Sequence, residues 1–198
     1  MTTAAKARRT LICGILACLL GLVLVIGVCG CSSGPAPESV VKQFFDAVKQ
    51  ADLETANSLC VVQNTQFPAT DTPEWGIVKA FLGRLNYEVL SSETKGSEAV
   101  VNVKVTTPDF MQVVSQVISQ ALPLALAAAG SSEADAQAMV FQLFADSLKD
   151  PDLPMIETQV AIEMTKTGGK WLIAANPDLG PALLGNMNQM DQLFNQGQ

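Results

Sequence analysis

Five cysteines, one tyrosine and no histidine bound the chemistry open to this 198-residue chain. Thiols can be alkylated, oxidised or recruited by metals, so their placement matters first. Cys13, Cys18, Cys29 and Cys31 sit near the N-terminus, and Cys60 alone lies beyond them. If that first cluster is removed or modified, Cys60 can form no internal disulfide, and the domain must be held by its core. In "ETANSLCVV" Cys60 lies on an apolar stripe, where a buried, unreactive thiol is expected. Without histidine there is no Ser-His-Asp or Cys-His catalysis and no His-dependent zinc site, and one thiol cannot build a thiolate site. "KTGGKW" carries two glycines between alternating runs, so it reads as a hairpin turn and not a phosphate loop. Asp46, Glu88, Glu157 and Glu163 could serve as acid or base only if burial shifted them, and their spacing puts them on wet faces. Asp146, Asp150 and Asp152 in "DSLKDPD" lack the loop spacing of a calcium motif and read as a helix end. No catalytic, cofactor-binding or metal-ligating residue is assigned.

Lys6, Arg8 and Arg9 precede Leu11–Val28, an uncharged apolar run of 18 residues. Basic start and apolar run make the pattern of a secretory leader. As a helix the run would reach roughly 27 Å, just short of a bilayer core of about 30 Å, so its length does not separate a leader from a permanent span. The boundary residues do. Val28-Cys29-Gly30-Cys31 resembles the bacterial lipobox, with the small Gly30 before Cys31. The resemblance implies cleavage between Gly30 and Cys31 and a thioether to diacylglycerol at Cys31, with fatty acyl chains of the palmitate kind. Cys29 is excluded as the lipidated residue because the bulky Val28 precedes it. "SSGPAPES" then reads as a flexible tether, since Pro and Gly cannot continue a helix. The expected organisation is a signal peptide over 1–30, a lipidated tether over 31–37, and one domain over 38–198. Two acyl chains hold a protein stably at a membrane, which places the domain on the extracytoplasmic face of the cell membrane. The Arg8-Arg9 pair leaves Sec and twin-arginine export both open.

Removal of residues 1–30 leaves 168 residues carrying nine Lys plus Arg and nineteen Asp plus Glu, a net charge of −10. That length suits one domain with a real core. So acidic a surface repels phosphate backbones, which excludes nucleic acid as a partner. It repels anionic lipid headgroups as well, so attachment to the membrane rests on the acyl chains.

The periodicities predict the elements that would position any site. Pro37 to Gln50 reads as a helix with Val40, Val41, Phe44, Phe45 and Val48 on one face. Asp52 caps a short helix whose Leu53, Ala56, Leu59 and Cys60 share a face. Thr72-Pro73 starts a third, with Trp75, Val78, Leu82 and Leu85 inward. "NYEVLSSETKG" and "EAVVNVKVTT" then alternate as strands, and Pro108 stops the second. From Phe110 to Lys149 two amphipathic helices follow. The first is capped by Asp109, has Phe110, Val113, Val114, Val117, Ile118, Ala121 and Leu122 on its stripe, and continues or kinks at Pro123. The second begins at a capping box, Ser132 to Asp135, and turns Met139, Val140, Leu143 and Phe144 inward. Two strands, "PMIETQVAIEMTK" and "KWLIAA", close the sheet. A terminal helix with Leu183, Leu184, Met187, Met190 and Phe194 roughly aligned ends the chain.

The order is α+β. "ESVVKQFFDAVKQADLETANSL", "YEVLSSETKGSEAVVNVKV" and "TQVAIEMTKTGGKWLIAA" resemble the nuclear transport factor 2-like, or cystatin-like, superfamily. The resemblance implies N-terminal helices packed on a curved antiparallel sheet that can leave a conical pocket. Residues 110–149 depart from that pattern and read as a helical hairpin inserted between strands, a lid over the pocket or a docking arm. Relatives that catalyse isomerisation or dehydration carry an Asp, His or Tyr in the cone. Here Tyr87 is the one tyrosine, so the resemblance favours a non-enzymatic, membrane-tethered module that binds a small apolar ligand or an envelope protein. An acid/base enzyme using the cone, or a structural envelope subunit, stays open. No cofactor is expected.

Overall fold

The computed structural model describes residues 34–64, 69–127 and 132–185, within a unit that begins at Gly34. Gly30 and Cys31 lie outside the described residues.

Local signals set the first elements. Helix α1 (Pro37–Lys49) opens on Pro37, whose fixed φ suits the first helical position, and buries Val40, Val41, Phe44, Phe45 and Val48 as the spacing predicts. It ends in a Schellman motif. Asp52 N donates to Ala47 O at 2.9 Å and Ala51 N to Val48 O at 2.9 Å, with Ala51 left-handed at φ 57°. Asp52 also caps α2 (Leu53–Ser58), accepting from Thr55 N at 3.0 Å. One residue therefore closes one helix and opens the next. Helix α3 (Pro73–Gly83) starts as expected, with Trp75 N donating to Thr72 Oγ1 at 3.2 Å.

Strands β1 (Asn86–Lys95), β2 (Glu98–Pro108), β3 (Met155–Thr167) and β4 (Lys170–Ile173) form one antiparallel sheet in the order β1-β2-β3-β4. The register places Val101 opposite Ile162 and Val103 opposite Val160, so period-two alternation turns one face wholly inward. Val101, Val103, Val105 and Ile162 are completely buried. Each such side chain contributes roughly 1.5–3 kcal/mol relative to leaving it in water. Helix α1 packs against β1, β2 and β4, so its Phe44–Phe45 face meets these valines. Opposite them, Lys104 pairs with Glu88 at 3.1 Å and Glu157 at 3.8 Å on the wet face. Leu90 is the extra residue of a bulge between Val89 and Ser91, and the strand is exposed beyond it.

Helices α4 (Phe110–Ala127) and α5 (Glu133–Ser147) fill the connection between β2 and β3 and pack on each other. The chain leaves and returns at neighbouring points. Pro108 pairs with Met155, and Asp109 N donates to Pro154 O at 2.8 Å. Asp109 caps α4 through Gln112 N at 3.2 Å, and the Ser132/Asp135 capping box opens α5. The helix continues through Pro123. The stripe expected to be inward is buried only at its base. Val113 and Val117 are sealed, whereas Ile118 is 60% and Leu122 62% exposed. On α5, Leu143 and Phe144 are half-buried and Val140 is exposed. The physical reason lies in the packing partners: the two helices pack on each other, α5 rests on α3 with Phe81, Phe110 and Phe144 in contact, and Val113 at the base of α4 joins the core. Helix α6 (Leu179–Leu183) packs on β2 and β3, and Gly185 comes two residues later at φ 58°. Met187, Met190 and Phe194 of the expected terminal helix lie outside the described residues.

Candidate functional site

The largely apolar concavity among the described residues is built where three short helices fail to close over α1. Phe44 and Val48 of α1 form its floor. Leu53, Ala56 and Asn57 of α2 form one wall, Val78 and Leu82 of α3 the other, and Gly180 and Leu183 of α6 with Leu184 the far rim. Its volume is about 390 Å³. A smaller chamber of about 80 Å³ adjoins it, sharing Val78, Leu82 and Leu184 and walled further by Ile77, Phe81, Phe110 and Phe144. A shallow extension of about 290 Å³ runs past Leu53 and Val78 to Trp75 and Thr72. No charged side chain lines the first two volumes.

The groove exists because α3 is split between two tasks. Phe81, Leu82 and Leu85 are buried in the core, but Val78, expected on the same inward stripe, is 38% exposed. Val78 shares the face of Phe81 and Leu82 but lies one turn earlier along α3, where its side chain opens on the gap. At the end nearest α2, Asn57 clasps the chain. Its Nδ2 donates to Asn64 O at 3.0 Å, and its Oδ1 accepts from Asn64 N at 2.7 Å. The segment leaving α2 is pinned to the sheet edge by Val61 N to Ile173 O and Ile173 N to Leu59 O, each 2.8 Å, beside a parallel bridge from Cys60 to Ile173.

Cys60 lines the groove and is half-buried, less enclosed than its apolar neighbours predict. Its Sγ lies 3.6 Å from Ala56 O, and burial pushes the thiol up from its ordinary pKa. A thiol held neutral is a poor nucleophile.

A second concavity of about 380 Å³ is an open polar shelf along α1 and α2, lined by Lys42, Gln43, Asp46, Asp52 and Thr55 among others. Its carboxylates are engaged. Asp46 Oδ1 accepts from Tyr87 Oη at 2.7 Å, and Tyr87 stacks on Phe45 with ring centroids 5.0 Å apart. Desolvation first, then the Asp46 hydrogen bond and charge, pushes the Tyr87 phenol up to about 12. Asp52 is held below the usual carboxylate range by the Thr55 hydroxyl at 2.6 Å and then by the Thr55 amide. Glu88, Glu157 and Glu163 are exposed on the sheet. Asp146 accepts from Gln142 at 3.0 Å and Lys149 at 2.9 Å, and Asp150 accepts from the Asp152 amide at 2.9 Å, as a helix end would use them. Among the described residues no group of three metal-ligating side chains converges.

Sequence reasoning placed Val78, Leu82 and Cys60 on inward stripes and had no signal for the groove. A wall residue and a core residue are chosen from the same apolar types.

The described residues form a mixed α+β domain with a four-stranded antiparallel sheet and an apolar groove, and among them no helix is long and apolar enough to cross a membrane. No protein-family model matches the sequence, and no curated protein matches it. A crystal structure of a candidate lipoprotein, ycdA, from Bacillus subtilis is similar at a TM-score of 0.45 and 15% sequence identity. The match covers 76% of this chain and 46% of that one, so this chain spans less than half the length of its neighbour.

Proposed function

We propose that the protein is a lipid-anchored, extracytoplasmic binding module that holds a small apolar ligand in the groove between α1, α2, α3 and α6. The anchor in this reading is Cys31, released from a leader over residues 1–30 and joined to the domain by a short tether. The observation that carries the binding reading is the groove itself. Its volume of about 390 Å³ lies in the range of small-ligand sites, and its wall is almost wholly apolar. Desolvating apolar surface supplies the affinity, and the paired Asn57 and Asn64 supply a fixed polar edge. An acid/base enzyme has less to work with. The Tyr87 phenol, at about 12, holds its proton too tightly for transfer near neutral pH, and Asp52 is occupied as a helix cap.

Titration with the fluorophore N-phenyl-1-naphthylamine tests the reading on residues 34–198. Saturable, blue-shifted emission is expected, weakened about tenfold or more by Val78→Asp, which puts a charge in the wall at a position exposed enough to leave the fold intact. Emission that rises linearly without saturation, or is unchanged by Val78→Asp, would refute it.

A further inference from the structure

The polar groups of the groove stand away from its adjoining chamber. Asn57, Asn64 and Cys60 line the main volume alone. The chamber shares Val78, Leu82 and Leu184 with it and is otherwise walled by Ile77, Phe81, Phe110 and Phe144, so no polar side chain lines it. Asn57 is half-buried, and its two bonds to Asn64 hold the carboxamide in one orientation. Those bonds use one N–H and one oxygen lone pair, and a carboxamide carries two of each. A ligand with a donor and an acceptor of its own can complete the set, whereas a purely apolar one buries this edge against carbon. Charge narrows the class further. No charged side chain lines either volume, and on α2, α3, α6 and their caps the acids Asp52, Glu54, Glu74 and Asp178 outnumber Lys79 and Arg84. An anion entering there would lose water and meet no cation in the wall.

We infer that the groove selects an amphiphile with one hydrocarbon chain and an uncharged, hydrogen-bonding head group, the chain end in the chamber and the head at Asn57. This rests on the groove being a binding site and names the class of ligand that site takes. The chamber holds about 80 Å³ against about 390 Å³ in the main volume, so it admits a narrow chain end. Each methylene taken out of water there tightens binding about fourfold. The head has to satisfy Asn57 without bringing a charge into a wall that holds no counter-ion. A hydroxyl, an ester or an amide does so, and a carboxylate or phosphate does not. Asn57 is thus the residue that sets the head group. Ile77 lines the chamber and not the main volume, so it reports the chain end.

The test uses residues 34–198 near neutral pH, where a fatty carboxylate is ionised, with decanol, decanoate and hexanol displacing N-phenyl-1-naphthylamine. Decanol is expected to displace the probe at a concentration about tenfold or more below decanoate. Asn57→Asp keeps an acceptor for Asn64 N and puts a negative charge at the head. It is expected to weaken decanoate about tenfold further and to change decanol by less than about threefold. Ile77→Phe narrows the chamber at a half-buried position and is expected to weaken decanol at least about fivefold more than the shorter hexanol. Probe binding by each variant shows that it has folded. The inference is overturned if decanoate binds as tightly as decanol, if Asn57→Asp leaves the ratio of the two unchanged, or if Ile77→Phe weakens decanol and hexanol equally. In each of those cases saturable probe binding that Val78→Asp weakens leaves the groove reading in place. If the probe does not bind at all, the groove reading falls and the ligand class falls with it.

Discussion

Tyr87→Phe isolates one hydrogen bond whose strength the structure ties to pH. Tyr87 Oη donates to Asp46 Oδ1 at 2.7 Å, with Lys42 O at 3.2 Å, and the ring stays stacked on Phe45 whether or not the hydroxyl is present. The phenol sits at about 12 in the folded protein against about 10 in an unfolded chain. A raised folded value means the stabilisation is fully present below pH 10, declines as the unfolded phenol ionises, and is gone once pH passes about 12. A tenfold change in an ionisation equilibrium corresponds to about 1.4 kcal/mol, but the hydroxyl is solvent-accessible and its partner is on the surface, so screening reduces the whole effect to about 1 kcal/mol. Urea denaturation should therefore show wild type about 1 kcal/mol more stable than Tyr87→Phe at pH 8, and the gap should close between pH 10 and pH 12. The chain has one tyrosine, so the phenolate absorbance band reports this residue alone and should titrate near 12 in the native protein. A phenolate midpoint near 10, or a stability gap that does not change across that pH range, would refute the reasoning.

Ala51→Gly relieves a left-handed residue in the Schellman turn and should stabilise the domain by about 0.5–1 kcal/mol in thermal unfolding, after the extra entropy of an unfolded glycine is offset. Ile118→Gln with Leu122→Gln should move the melting temperature by less than a degree or two, being exposed, whereas Val113→Ala at the sealed base of α4 should cost about 1–3 kcal/mol; equal effects would show that the α4 stripe is buried along its length. Cys60→Ser keeps a donor for Ala56 O in a half-buried setting, so chemical denaturation should register a loss of about 1 kcal/mol or less. Cys31→Ala should release the protein from the membrane fraction and leave an unacylated chain by intact mass, and retention in that fraction with the residue gone would remove lipidation at this position as the anchor.

Local chemistry was legible wherever one residue settles it. Asp52, Thr72, Asp109 and Ser132 each cap the helix their positions imply, because a cap needs only a side-chain oxygen three residues before an amide. The buried faces of β2 and β3 follow the alternation residue by residue, since a one-residue slip would turn every valine to water. The α4 stripe reads differently in sequence and in space. Its spacing is that of a core helix from Phe110 to Leu122, yet burial stops near Val117, because α5 and α3 cover only the base. Periodicity states which residues share a face and is silent on how much of that face another element reaches.

The sequence by itself determined the α+β order, the caps, the faces of the sheet, the lack of histidine chemistry and the acidic surface, since each follows from residue type or from spacing along one chain. Only the tertiary structure decided that Val78 looks into a groove while Phe81, three residues on, is sealed in the core. It also decided that Cys60 meets the groove, that Asp46 answers Tyr87 from 41 residues away, and that the second helix between β2 and β3 rests on α3. A groove is the space left when α1, α2, α3 and α6 settle at angles fixed by their joint packing. No single segment encodes that remainder, and the apolar side chains around it are of the same kinds whether the space between them is filled or open.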